Sequence, residues 1–158
     1  MIGVVMTDIL LIGLVVVYLV LTGMQMYNLR ELRQTIEKYI TRKTKAIMVV
    51  HFFGLCANMD EIRAGTNDIP IIEEGACAAG AAFNGIPAGG LGDLGCFSFD
   101  FVKTITCGEG GAVACSNRGI MTRIKKLRSQ GLAEHRQYWH DVVGYNYRLN
   151  NLSASSGS

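Results

Sequence analysis

The chain has 158 residues, 49% hydrophobic and 18% charged, which suits one domain with its own core and excludes a disordered polymer. A net charge of +2, with no basic run longer than Lys125-Lys126, gives no footprint for nucleic acid. The five cysteines form no C-x-x-C pair and no pairing with histidine, which argues against zinc; they read as reduced, mostly buried thiols of a cytosolic protein.

Residues 2–23 are almost continuously apolar, with Asp8 as the one charge before Arg30. Two readings stand. A membrane anchor needs about 20 such residues, so length permits one, but Asp8 interrupts the run and no basic segment precedes it. The β-branched stretch LVVVYLVL, closed by Thr22-Gly23, suits a buried parallel strand instead. Asn28 then reads as a helix N-cap, with Glu31 three residues on completing a capping box. Leu29, Leu32, Ile36, Tyr39 and Ile40 form the apolar stripe of that helix, with Arg30, Arg33, Glu37 and Lys38 on its wet side.

Ala46 to Val50 reads as a buried strand ending at His51, a histidine taken as structural. Met59 opens a short helix that Gly65 cuts off. Ile69-Pro70-Ile71-Ile72 is the next strand and delivers Glu73 and Glu74 at its C-terminal end. Read alone, two carboxylates there are simply solvated. Strands alternating with helices imply parallel βαβ units, whose carboxyl ends form a ligand crevice. Residues 75–92 are rich in alanine and glycine, which suits tight packing near a ligand or a plain small-residue loop.

The central stretch is GCFSFDFVKTITCGEGG, residues 95–111. A strand-like alternation of Cys96, Phe97, Phe99 and Phe101 leads to Lys103, and a glycine-rich turn follows. An amine in apolar, aromatic surroundings is costly to keep charged and becomes a usable nucleophile. The alternative is a buried strand whose lysine snorkels to water. Ser98 supplies a hydroxyl suited to an anion, and the glycines at 108, 110 and 111 let the turn fold. Residues 112–115 make a further short strand. Ile120, Ile124 and Leu127 mark an amphipathic helix with a solvated basic face. The loop from His135 to His140 is polar and aromatic, and residues 153–158, SASSGS, read as a flexible tail.

The string FSF-x-x-x-K-x-I-T-x-G-E-G-G resembles the signature of the DegT/DnrJ/EryC1/StrS sugar aminotransferases, which use pyridoxal phosphate. TRKTKAIMVVH at 41–51, NMDEIR at 58–63, IPIIEE at 69–74 and YWHDVVGYNYRLN at 138–150 fall in that family's order. The resemblance covers roughly residues 13–152 and implies an α/β fold: a mostly parallel sheet with flanking helices, like an incomplete large domain of a fold-type I pyridoxal-phosphate enzyme. Residues 1–152 are then part of that domain.

By resemblance, Lys103 is the catalytic lysine that carries the cofactor as a Schiff base. Glu74 takes the place of the carboxylate against the pyridine nitrogen, where the family has aspartate. Ser98 matches a phosphate-binding serine. Asn146, in Gly144-Tyr145-Asn146-Tyr147-Arg148, matches an asparagine that reaches the phosphate of a neighbouring subunit, which implies a homodimer. Cys77 stands where the family often has a glutamine that contacts the ring, and Asp100 where many members have histidine. No metal is implied. Sister enzymes that dehydrate sugars typically carry histidine in place of the lysine, so Lys103 points to transamination.

The function implied is transfer of an amino group, with glutamate as the expected donor, to a nucleotide-linked keto-sugar. The family's N-terminal phosphate cup and its C-terminal small domain have no counterpart in the 158 residues. A truncated, non-catalytic fragment is therefore the alternative, with a membrane-anchored protein behind it.

Overall fold

The computed structural model describes residues 16–19 and 29–157. Five strands form the main sheet, in the order β1-β2-β3-β6-β7. They are β1 Val16–Leu19, β2 Ala46–Val50, β3 Ile71–Glu74, β6 Leu94–Ser98 and β7 Gly111–Ala114. The first four pair in parallel and β7 returns antiparallel along β6. The helices are α1 Leu29–Tyr39, α2 Met59–Thr66, α3 Arg118–Arg128 and α4 Asn151–Ser156. The α/β fold with a mostly parallel sheet is the architecture expected from the sequence.

Alternation along the strands sorts side chains onto two faces. Ile47, Val49 and Ile71 point to one face and join Ile36 of α1 and Met59 and Ile62 of α2 in the core. Each side chain buried to this degree contributes about 1.5–3 kcal/mol. On the opposite face Met48, Ile72, Glu74, Leu94 and Cys96 are half-buried. The helix pair packs closely because of Gly65: a Cβ there would lie 3.3 Å from Arg33 O and from Ile36 Cβ. Gly65 therefore does not cut the helix off as expected. It sits inside α2, which runs on to Thr66 and ends at Asn67 with φ 47°. Asn58 caps the start, its Oδ1 accepting from Glu61 N at 3.3 Å.

The link from β3 to β6 is a parallel crossover without a helix. It carries a two-stranded ribbon, β4 Ala82–Phe83 with β5 Ile86–Pro87, turned by Asn84-Gly85. Both turn residues have positive φ, 50° and 80°, the geometry of a tight I′ hairpin.

Other expectations need correction. Tyr39, placed in the apolar stripe of α1, is 57% exposed, because it is the last residue of the helix and leaves the α2 contact. The central strand stops at Ser98, so Phe99 and Phe101 lie beyond it; Phe101 is 75% exposed. The tail read as flexible holds α4, started by Asn150, whose Oδ1 accepts from Ser153 N at 2.9 Å. The helix expected around Ile120 forms as α3, but it buries no residue. Of the five cysteines, Cys56 and Cys107 are buried, Cys77 is exposed, and Cys96 and Cys115 lie between; all are free. In the apolar run 2–23, β1 is the described part; the rest of it and the Asn28 cap lie outside the described residues. Among the described residues, no helix is long and apolar enough to cross a membrane.

Candidate functional site

Parallel strands bring their C-terminal ends to one edge of the sheet, so β2, β3 and β6 deliver His51, Glu74 and Ser98 to the same side. One cluster there is buried, and the rest of the strand ends face an open side.

The buried cluster is centred on Glu73. This carboxylate has the same strand parity as Ile71, faces the core and is fully buried, contrary to the solvated reading. His51 Nε2 donates to Glu73 Oε2 at 2.9 Å, and Gly89 N donates to the same oxygen at 2.6 Å. Gly92 N donates to Oε1. Ala57 N donates to His51 Nδ1 at 3.2 Å, so the network assigns the proton to Nε2. Burial alone pushes Glu73 up, but the His51 bond and the Gly92 and Gly89 amides outweigh it and hold the carboxyl below its usual range. The buried Cys56 thiol is pushed up, first by burial and then by the charge on Glu73. His51 is thus structural, as read from the sequence.

The close approach of the crossover to the sheet depends on glycine. A Cβ on Gly95 would lie 2.4 Å from Gly89 Cα, and one on Gly89 would lie 2.5 Å from the Phe97 ring.

On the open side lie Glu74 at the end of β3, Ser98 at the end of β6 and, in the turn past β6, Lys103. Glu74 alternates to the opposite face from Glu73 and pairs in register with Cys96; Ser98, two residues further along β6, shares that face. Glu74 Oε1 accepts from Ala76 N at 2.9 Å and so shapes the turn leading to Cys77. Lys103 lies in a turn past β6, where its backbone N–H donates to Asp100 O at 3.0 Å. Its side chain crosses to that neighbouring turn: Nζ donates to Cys77 Sγ at 3.3 Å. Ser98 Oγ accepts from Asp100 N at 3.3 Å, which ties the same turn to the end of β6. The apolar packing expected around Lys103 is thin, since Phe101 and Val102 are exposed. On the Glu74 face, burial first and the Glu74 charge second push the Cys96 thiol up.

Asn146 is exposed, on the strand-like return that bridges to Ser129 beyond α3. In the same region Tyr145 and Tyr147 stack with centroids 5.2 Å apart, and the Arg136 guanidinium lies 4.0 Å from the centre of the Trp139 ring.

Sequence reading missed the burial of Glu73 and its grip on the crossover. Its parity with Ile71 was the available signal. The direct Lys103–Cys77 contact was also missed, although position 77 had been singled out.

The chain matches the DegT/DnrJ/EryC1/StrS aminotransferase family over residues 6–158. Over 124 residues it is 47% identical to the GDP-perosamine synthase of Escherichia coli O157:H7, a match covering 77% of this chain and 34% of that protein. It is 41% identical over 116 residues to a UDP-4-amino-4,6-dideoxy-N-acetyl-beta-L-altrosamine transaminase of Campylobacter jejuni, covering 71% of this chain and 31% of the other. The solved aminotransferase TlmJ from Streptoalloteichus hindustanus superposes with a TM-score of 0.73 at 28% identity, over 79% of this chain and 35% of that one. The chain spans about a third of the length of these relatives. With the parallel sheet and the Lys103 turn in place, these matches settle the membership: the chain belongs to the DegT/DnrJ/EryC1/StrS aminotransferase family.

Proposed function

We propose that the chain carries the lysine side of a pyridoxal-phosphate site that transfers an amino group, from a donor such as glutamate, to a nucleotide-linked keto-sugar. The observation that carries this reading is the Lys103 amine meeting the turn that Glu74 begins, through Cys77 at 3.3 Å. The names of the relatives, a GDP-perosamine synthase and a UDP-amino-sugar transaminase, support the substrate class.

The donor set suits the cofactor in kind: a primary amine, a carboxylate and a hydroxyl on one side of the sheet end. Lys103 would hold the cofactor and move a proton at its Nζ. Glu74 would keep the ring nitrogen protonated, and the bound cofactor would supply an electron sink. Ser98 would hold the phosphate. Asn146 would serve the site of a second copy, which makes the working form a homodimer. The five free cysteines support a cytoplasmic setting.

The test is borohydride trapping. Incubation with pyridoxal phosphate followed by reduction is expected to place a pyridoxyl label on Lys103, found by peptide mass spectrometry. Lys103→Ala is expected to lose the label with its circular dichroism unchanged. Comparable labelling of the alanine variant would sink the assignment.

A further inference from the structure

We propose that Lys103 and Cys77 together form a two-point covalent site for small aldehydes, beyond any role of Lys103 toward pyridoxal phosphate. The amine and the thiol are 3.3 Å apart, close enough for a single carbon to bond both after a small contraction. Each is held by its backbone: Cys77 O accepts from Gly54 N at 2.8 Å, and Lys103 N donates to Asp100 O at 3.0 Å. Two nucleophiles fixed side by side convert the second bond-forming step into an intramolecular one.

The chemistry balances without an oxidant. The neutral amine adds to the aldehyde carbon, and loss of one water leaves a C=N bond. The thiol then adds to that carbon. A C–S bond forms, the π pair of the C=N bond becomes an N–H bond, and the thiol proton ends on nitrogen. The product is a saturated N–C–S bridge between residues 77 and 103, and reversal returns the aldehyde.

The pairing is particular to this place in the fold. Cys56 and Cys107 are buried, and Cys96 is half-buried on the sheet face. Cys115 points its thiol at Asp93 O, 3.3 Å away. Cys77 is exposed, and it is the cysteine that accepts from a lysine amine among the described residues.

The probe is o-phthalaldehyde, whose two aldehydes condense with one amine and one thiol, losing two waters, to give a fluorescent isoindole. The full chain, with no cofactor and no added thiol, is expected to become fluorescent and to yield a peptide pair cross-linked between residues 77 and 103. Cys77→Ser and Lys103→Arg are each expected to reduce the fluorescence to the reagent blank, whereas Cys115→Ser keeps it. Far-UV circular dichroism checks the fold of each variant, and the intact chain's cross-linked peptide decides the matter even if one variant unfolds. No fluorescence from the intact chain, or undiminished fluorescence from folded Cys77→Ser, would overturn the proposal. Because no cofactor is present, the outcome is independent of whether Lys103 carries pyridoxal phosphate.

Discussion

The Glu73 carboxylate and the His51 imidazole lie 2.9 Å apart with neither side chain exposed to solvent. Adjacent residues on β3 thus have opposite settings: Glu73 is sealed in the core, and Glu74 begins the turn that meets Lys103.

Acid should unfold the chain through Glu73. Its folded carboxyl titrates below the ordinary 4.5, so the unfolded state binds the proton more readily. The stabilisation is fully present above about 4.5, the unfolded value, and is lost as pH falls through the lower folded value. Glu73→Gln is expected to lose about 3 kcal/mol at pH 7, because one carboxylate oxygen becomes an NH2 that faces N–H donors it cannot accept from. Urea midpoints measured from pH 7 to pH 3 should show the gap between the two proteins closing toward acid. A constant gap would count against the linkage.

Gly95→Ala should destabilise the chain by about 1–3 kcal/mol, since its Cβ would press on Gly89 Cα at 2.4 Å and backbone cannot rotate away. Displacing Gly89 also weakens its bond to Glu73. Combined with Glu73→Gln, the losses are expected to be less than additive. A double-mutant cycle in urea measures the coupling, and strict additivity would separate the two sites.

Alkylation of Cys96 reports on Glu74. Removing the charge in Glu74→Gln lowers the thiol from its raised position, so more thiolate is present at pH 8. Iodoacetamide should label Cys96 severalfold faster in the variant, by peptide mass spectrometry. Cys56, raised by burial and by Glu73 instead, serves as the unchanged control.

Asn117 should matter more to α3 than its exposure suggests. Its Oδ1 accepts from Gly119 N at 2.9 Å and Ile120 N at 3.1 Å, and the helix buries no residue that would hold it otherwise. Asn117→Ala is expected to cost the helix about 1 kcal/mol. Hydrogen exchange should quicken across Arg118–Arg128 and stay unchanged in β2 and β3.

The legible parts of the chain were those governed by local pattern. β2 was found to the residue because Ala46–Val50 is an unbroken apolar run ending in a polar residue. β3 was placed two residues early, at Ile69–Ile72, whereas the strand runs Ile71–Glu74 and includes both glutamates. Glu73 was misjudged because a carboxylate's solvent preference was weighed above its parity with Ile71. The amides that make its burial tolerable come from residues 16 and 19 positions later. The β4–β5 ribbon was passed over despite Asn84-Gly85, the strongest short hairpin signal in the chain. The resemblance identified Lys103 and marked position 77, but their contact joins turns 26 residues apart, which no periodicity reports.

The helix-free crossover also bears on the speed of folding. Residues 75–93 must close a long loop before β6 can lie beside β3, and such closure costs entropy that no local helix offsets. Glu73 grips the returning chain at residues 89 and 92, shortly before β6 begins, so it acts as a latch on the pairing of β6 with β3. If β3 docks on β2 first and the latch then closes, Glu73→Gln should slow refolding in stopped-flow measurements. A normal refolding rate with faster unfolding would instead put the latch after the rate-limiting step.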